Sequence, residues 1–241
     1  MTAAYIIWDF EGTLATRKGR YTGALERAAE QLDPDFAGSA DRLRPHLSGA
    51  FPWHGPKLAH PHADDPQRWW AVILNAARKA LITNGMEQDL IETVLIASRR
   101  IYLDPAGWEC DPDALATLQA LTERGWSHAI LSNFAPELPD LVAALGFASH
   151  VDHIFCSGRI GLEKPAPALF AHVKSALSPG KACWMIGDNP AADIDGGREA
   201  GLATIHLAPH GPGTASGLSV QMLREIATLI PIAPINERSQ S

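Results

Sequence analysis

Ala4-Tyr5-Ile6-Ile7-Trp8-Asp9-Phe10-Glu11-Gly12-Thr13 is the stretch on which the fold turns. Residues 4–8 form a short, uncharged, β-favouring run, and residues 9–13 form a polar, glycine-bearing turn of the kind that follows a buried strand. In an extended segment Asp9 and Glu11, at i and i+2, point to the same side. Gly12 and Thr13 then permit a tight turn whose backbone N–H groups face an anion. The apolar run stops at Asp9, too short for a secretory core or a membrane span, so it is read as structure.

Outward from this strand the pattern changes twice. From about residue 20 to 105 the texture is helical, clearest over 69–82 and 87–102, where apolar residues recur three or four apart. Within it, residues 45–66 carry Pro45, Pro52, Pro56, Pro61 and Pro66 with His46, His54, His60 and His62, a composition that disfavours continuous helix and predicts an irregular connection. After residue 108, helices at 112–124, 136–145, 166–177 and 191–200 alternate with strands at 126–131, 153–156, 182–186 and 203–207. Repeated alternation implies right-handed crossovers and an α/β fold with a doubly wound parallel sheet. Residues 209–218 read as a flexible connection, 219–230 as one terminal helix and 236–241 as a frayed end. The domain reading is a core of residues 1–15 and 108–241, interrupted by a helical insert of 16–107.

The 241 residues carry 20 Lys and Arg against 27 Asp and Glu, a formal net charge of −7, and no run of five basic residues. That balance argues against a nucleic-acid partner or a basic membrane-surface protein, both of which need clustered cations. Cys110, Cys156 and Cys183 are far apart and lack any C-x-x-C spacing, which fits reduced, buried thiols of a cytoplasmic protein. Trp53, Trp69 and Trp70 can pack insert helices together or line a pocket, and packing is favoured by the area an indole buries. The four histidines read as solvated loop residues rather than a transition-metal site, since no Cys or helical i, i+4 His pair accompanies them.

In an open α/β sheet, ligands bind beyond the carboxyl ends of the strands. Four such ends are chemically compatible here. Asp9 and Glu11 follow the first strand; Ser132 and Asn133, a hydroxyl and an amide, follow the second core strand. Lys164 precedes a helix that Pro165 can open, and Asp188 and Asp193 follow the strand at 182–186. Singly, each is ordinary turn or cap chemistry. Together they supply a nucleophile, hard oxygen ligands for a divalent ion and donors for an oxyanion.

This constellation resembles the haloacid dehalogenase-like (HAD) hydrolase superfamily. Its first motif, usually Asp-x-Asp-Gly-Thr, is similar to Asp9-Phe10-Glu11-Gly12-Thr13; Ser132, Lys164 and Gly187-Asp188 with Asp193 match the other three. The helical insert resembles that family's cap. The resemblance implies a phosphatase of a small phosphorylated metabolite, monomeric or homodimeric, in which Asp9 attacks phosphorus. It implies Mg²⁺ held by Asp9, Asp188 and Glu11, the last through its backbone carbonyl. Gly12, Thr13, Ser132, Asn133 and Lys164 would bind the phosphoryl group, and Asp193 would orient Lys164 or a metal-bound water. The departure is Glu11, where phosphatases of the family usually carry an Asp acting as general acid and base. Haloacid dehalogenases usually carry Tyr there, so a carboxylate favours phosphate chemistry over dehalogenation. The added methylene moves the acid by up to about 1.5 Å, which leaves a catalytically weak binding protein as a further alternative.

Overall fold

Strand β1 spans Ala4–Trp8 and pairs in parallel with β4, Trp126–Ser132, on one side and β6, Lys181–Gly187, on the other. The computed structural model describes residues 3–55, 65–177, 180–209, 211 and 217–234. β5 (His153–Cys156) extends the sheet beyond β4, while β7 (Ala203–Leu207) and β8 (Leu218–Val220) extend it beyond β6. All six strands are parallel, in the order β5-β4-β1-β6-β7-β8, so β1 is central and every residue of it is buried. That explains why residues 4–8 read as a continuous apolar run.

Alternation along β1 builds two cores. Ile6 and Trp8 face the side that contains Leu118 and Leu121 of α5 (Ala114–Glu123) and Leu223 and Ile226 of α10 (Leu223–Leu229). Tyr5 and Ile7 face Leu169, Phe170 and Val173 of α8 (Pro167–Ala176). The sheet is thus covered on both faces, as the strand-helix alternation predicts.

Between β1 and the rest of the sheet the chain forms helices α1 (Arg20–Leu32), α2 (Ala40–Leu43), α3 (Pro66–Thr83) and α4 (Ile91–Leu103), with α4 packed against α1 and α3. It leaves and re-enters the core through a two-stranded antiparallel ribbon, β2 (Ala15–Thr16) with β3 (Glu109–Cys110), too short to leave a pattern in the sequence. The insert is also tied down by Trp70 Nε1, which donates to both carboxylate oxygens of Glu137 at 3.1 and 3.2 Å. Arg99 joins the same carboxylate at 2.5 Å and lies over the Trp70 ring. Trp69 and Trp70 are buried and pack insert helices.

Three expectations need correction. Residues 219–230 are not one helix: β8 pairs with the edge strand β7 before α10 begins, and three residues are too few to show a period of two. The helix at 191–200 is a wide π-type turn, Pro190–Asp195, followed by α9 (Gly196–Glu199). All three cysteines are free, but only Cys156 is buried. The connection at 45–66 contains 3-10 turns at Arg44–Leu47 and Pro52–His54; His60, His62 and the frayed end at 236–241 lie outside the described residues, as does most of 209–218. No helix among the described residues is long and apolar enough to cross a membrane.

One core contact carries a pH signature. His128 Nδ1 accepts from Trp8 Nε1 at 3.0 Å and its Nε2 lies 3.0 Å from the Leu118 carbonyl oxygen, which fixes the neutral tautomer protonated on Nε2. Burial pushes its pKa down to about 4. Below about pH 6.5 the unfolded chain binds a proton here that the folded chain refuses, so this stabilisation is complete above that pH and is lost on descent toward about pH 4, by up to about 3 kcal/mol. Melting temperatures of wild type are therefore expected to fall more steeply between about pH 7 and pH 5 than those of His128→Leu. Equal slopes would contradict the buried neutral imidazole.

Candidate active site

Asp9 continues the β1 ladder for one more residue, donating its N–H to the Ile186 carbonyl at 2.8 Å. Phe10 then turns into an aromatic cluster with Trp108, Phe134 and Phe147, at centroid distances of 5.5, 5.9 and 6.4 Å. Anchoring Phe10 on one side sends Asp9 and Glu11 to the other, into a cleft of about 400 Å³ between the strand ends and the insert. The same cleft takes Ser132, Asn133, Lys164, Asp188 and Asp193, so the four strand ends converge.

Lys164 is the hub. Its Nζ donates to Asp9 Oδ1 at 2.7 Å, to the Leu131 carbonyl at 2.8 Å and to Asp193 Oδ1 at 2.6 Å, which spends all three ammonium protons. It is 2 % exposed. Burial opposes its charge, and the flanking Asp193 and Asp9 carboxylates outweigh burial, so its pKa is held above the usual lysine range. Ser132 Oγ adds a second bond to Asp9 Oδ1 at 3.0 Å. Asp193 is held on its other oxygen by the Asn189 N–H at 3.0 Å, which fixes the hub from below.

Asn133 does something other than expected with its side chain. Its Oδ1 accepts from the Lys164 N–H at 2.7 Å and its Nδ2 donates to the Lys164 carbonyl at 3.0 Å, so the amide clamps the lysine backbone instead of facing an anion. The turn at Gly12 and Thr13 also departs from expectation. Gly12 N–H donates to the Ala15 carbonyl and Thr13 N–H to the Phe10 carbonyl, so both amides are spent within the turn. Gly12 is required by close approach: at φ 103° a Cβ there would lie 2.3 Å from Asp188 Oδ2.

Glu11 sits in the cleft with its Oε2 accepting from the Tyr102 hydroxyl at 3.1 Å, while Oε1 is buried without a hydrogen bond. Burial pushes its carboxyl up to about 7, with Asp9 and Asp188 adding to the shift and Arg20 and Tyr102 opposing it. Arg20, at the start of α1, lies 3.9 Å from Glu11 and 3.7 Å from Asp188. Neither Arg20 nor Tyr102 belongs to a local motif; both reach the site through packing of α1 on α4, so sequence inspection passes over them.

The residues fit a divalent cation. Asp9, Asp188 and Asp193 offer carboxylate oxygens within 4.8 Å of one another, a hard all-oxygen donor set without histidine. Asp193 is already committed to Lys164 and Asn189, which leaves Asp9 and Asp188 as the side chains that could hold a cation. Asp188 is pushed up to about 6, first by burial and then by the neighbouring Asp9, with Arg20 and Lys164 opposing the shift.

Over residues 4–201 the chain matches the haloacid dehalogenase-like hydrolase family, and it belongs to that family. It is 35% identical over 122 residues to phosphoserine phosphatase from Thermus thermophilus, covering 48% of this chain and 49% of that protein, so it spans about half the length of that relative. It is 26% identical over 215 residues to haloacid dehalogenase-like hydrolase domain-containing protein 3 from Bos taurus, covering 84% and 81% of the two. Among solved structures, a putative HAD-hydrolase, YfnB, from Bacillus subtilis bound to magnesium shares the fold with a TM-score of 0.75, at 19% identity and 95% and 99% coverage.

Proposed function

We propose that the protein is a Mg²⁺-dependent phosphatase of a small phosphorylated metabolite, in which residues 1–15 and 108–241 form the catalytic core and the helical insert of 16–107 is a cap over it. The observation that carries this is the Asp9 carboxylate, pinned on one oxygen by Ser132 and Lys164 with Glu11 in the same cleft. Membership in a hydrolase family and the likeness to a phosphoserine phosphatase support it.

Asp9 attacks phosphorus and the bond to the leaving oxygen breaks, giving an aspartyl-phosphate. Glu11, with a carboxyl poised near 7, gives its proton to the departing alkoxide and then takes one from the water that attacks the aspartyl-phosphate, restoring Asp9. Lys164 holds Asp9 in place and sets a fixed positive charge beside the phosphoryl oxygens, and Ser132 supplies a hydroxyl to the same region. Asn133 and Asp193 keep Lys164 in position. Asp9, Asp188 and the Glu11 carbonyl would hold Mg²⁺, which would supply charge neutralisation for the nucleophile and the phosphoryl group. A carboxylate at residue 11 disfavours dehalogenation, which has no leaving alkoxide to protonate.

The test is phosphate release across a panel of phosphorylated metabolites. Turnover is expected with Mg²⁺, is expected to fall to background in excess chelator and to return when Mg²⁺ is restored. Undiminished turnover in chelator, or halide release from 2-haloacids with no phosphate release, would overturn the proposal.

A further inference from the structure

The cleft has two unlike walls. Its floor, built from strand ends, holds all of its carboxylates: Asp9, Glu11, Asp188 and Asp193. The insert's wall holds Arg44, Ser48, Phe51, Trp53 and His54 and contributes no acid. The rings of Phe51 and Trp53 stack with centroids 4.7 Å apart and planes 18° from parallel, and Trp69 backs Trp53 at 6.2 Å. Trp53, half-buried and packed with these two rings, lines the cleft.

Donors line the same wall as Trp53: Arg44, Ser48 and His54. His54 Nδ1 accepts from the Gly49 N–H at 2.8 Å, which leaves Nε2 to carry the proton when the ring is neutral, and desolvation lowers its pKa. Arg44 is steadied by Asp41 at 2.8 Å, and Ser48 adds a hydroxyl. A phosphoryl group on a short aliphatic chain would use the floor and leave this wall idle. A planar leaving group would use both, because a flat ring stacks on an indole whatever its substituents, while atoms at its rim meet the donors.

We propose that the leaving group is a planar heteroaromatic ring with acceptor atoms at its rim, joined to the phosphate through a short alcohol linker, as in a nucleoside monophosphate. This rests on the phosphatase reading above. Trp53 is the specificity-determining residue, and Arg44, Ser48 and His54 serve the ring's acceptors.

The experiment compares kcat/KM for uridine and adenosine 5′-monophosphate with kcat/KM for O-phosphoserine and glycerol 3-phosphate, in wild type, Trp53→Ala and Trp53→Phe. The ratio of ring-bearing to aliphatic ester is expected to be about tenfold or more in wild type, to fall by about tenfold or more in Trp53→Ala, and to be largely recovered in Trp53→Phe. A wild-type ratio at or below one, or a ratio that Trp53→Ala leaves in place, would overturn the proposal. If other phosphate esters of the metabolite panel are turned over and the ring-bearing ones are not, the ring proposal has failed; if no phosphate ester is turned over, the phosphatase reading has failed, and the wall is judged alone by titrating Asp9→Asn with uridine 5′-monophosphate. Quenching of indole fluorescence that Trp53→Ala removes supports the ring site; no quenching overturns it.

Discussion

Asp9→Asn is expected to lower Mg²⁺-supported hydrolysis of an aryl phosphate by at least about 10³-fold, because an amide oxygen cannot open the covalent route. The substitution isolates chemistry from folding. The Asn carbonyl oxygen can still accept from Ser132 and from Lys164, whose bonds fall on Asp9 Oδ1 in the native site. Lys164 also keeps Asp193 as a counter-ion at 2.6 Å, so the buried ammonium is not stranded. The variant should fold and melt close to wild type while losing turnover, and equal activity in the two proteins would remove Asp9 as the nucleophile.

The second large effect is on stability. Lys164→Met should cost about 3–5 kcal/mol, the range for breaking a buried ion pair by deleting one partner. The cause lies in what remains: Asp9 and Asp193 are both buried and both use the missing ammonium as hydrogen-bond donor. The Leu131 carbonyl loses its donor as well. Activity should fall by about 10²-fold or more, since the nucleophile is no longer held and the fixed charge beside the phosphoryl oxygens is gone. Adding Asp193→Asn to Lys164→Met should recover part of the stability, by removing one stranded charge, and none of the activity. Urea unfolding of the single and double variants reads this directly; a Lys164→Met protein as stable as wild type would show that the hub does not hold the site together.

The sheet was legible in the sequence because its strands are buried on both faces and its helices repeat an apolar stripe; β1, β5 and β7 lie where their apolar runs place them. The floor of the site was legible for a related reason, since a parallel sheet delivers each strand end to one edge and the loop residues there can be read in order. What those residues do was less legible. Asn133 and Gly12 turn their polar groups toward the protein, a choice made by the neighbouring loop and not by the residue. Arg20 and Tyr102 enter the site only once α1 and α4 have packed, so nothing local announces them. The ribbon of β2 and β3 and the edge strand β8 span two or three residues each, below the length at which alternation can be seen. Of the three insert tryptophans, packing accounts for Trp69 and Trp70, while Trp53 lines the cleft.

Trapping the phosphoryl group on the enzyme tests the central claim most directly. Wild-type protein with Mg²⁺, mixed with a turned-over phosphate ester and quenched in acid within the first turnover, is expected to carry one added phosphoryl group on the peptide that contains Asp9, and the same peptide of Asp9→Asn is expected to carry none. Rapid phosphate release with no label on that peptide, or label on another residue, would contradict the account.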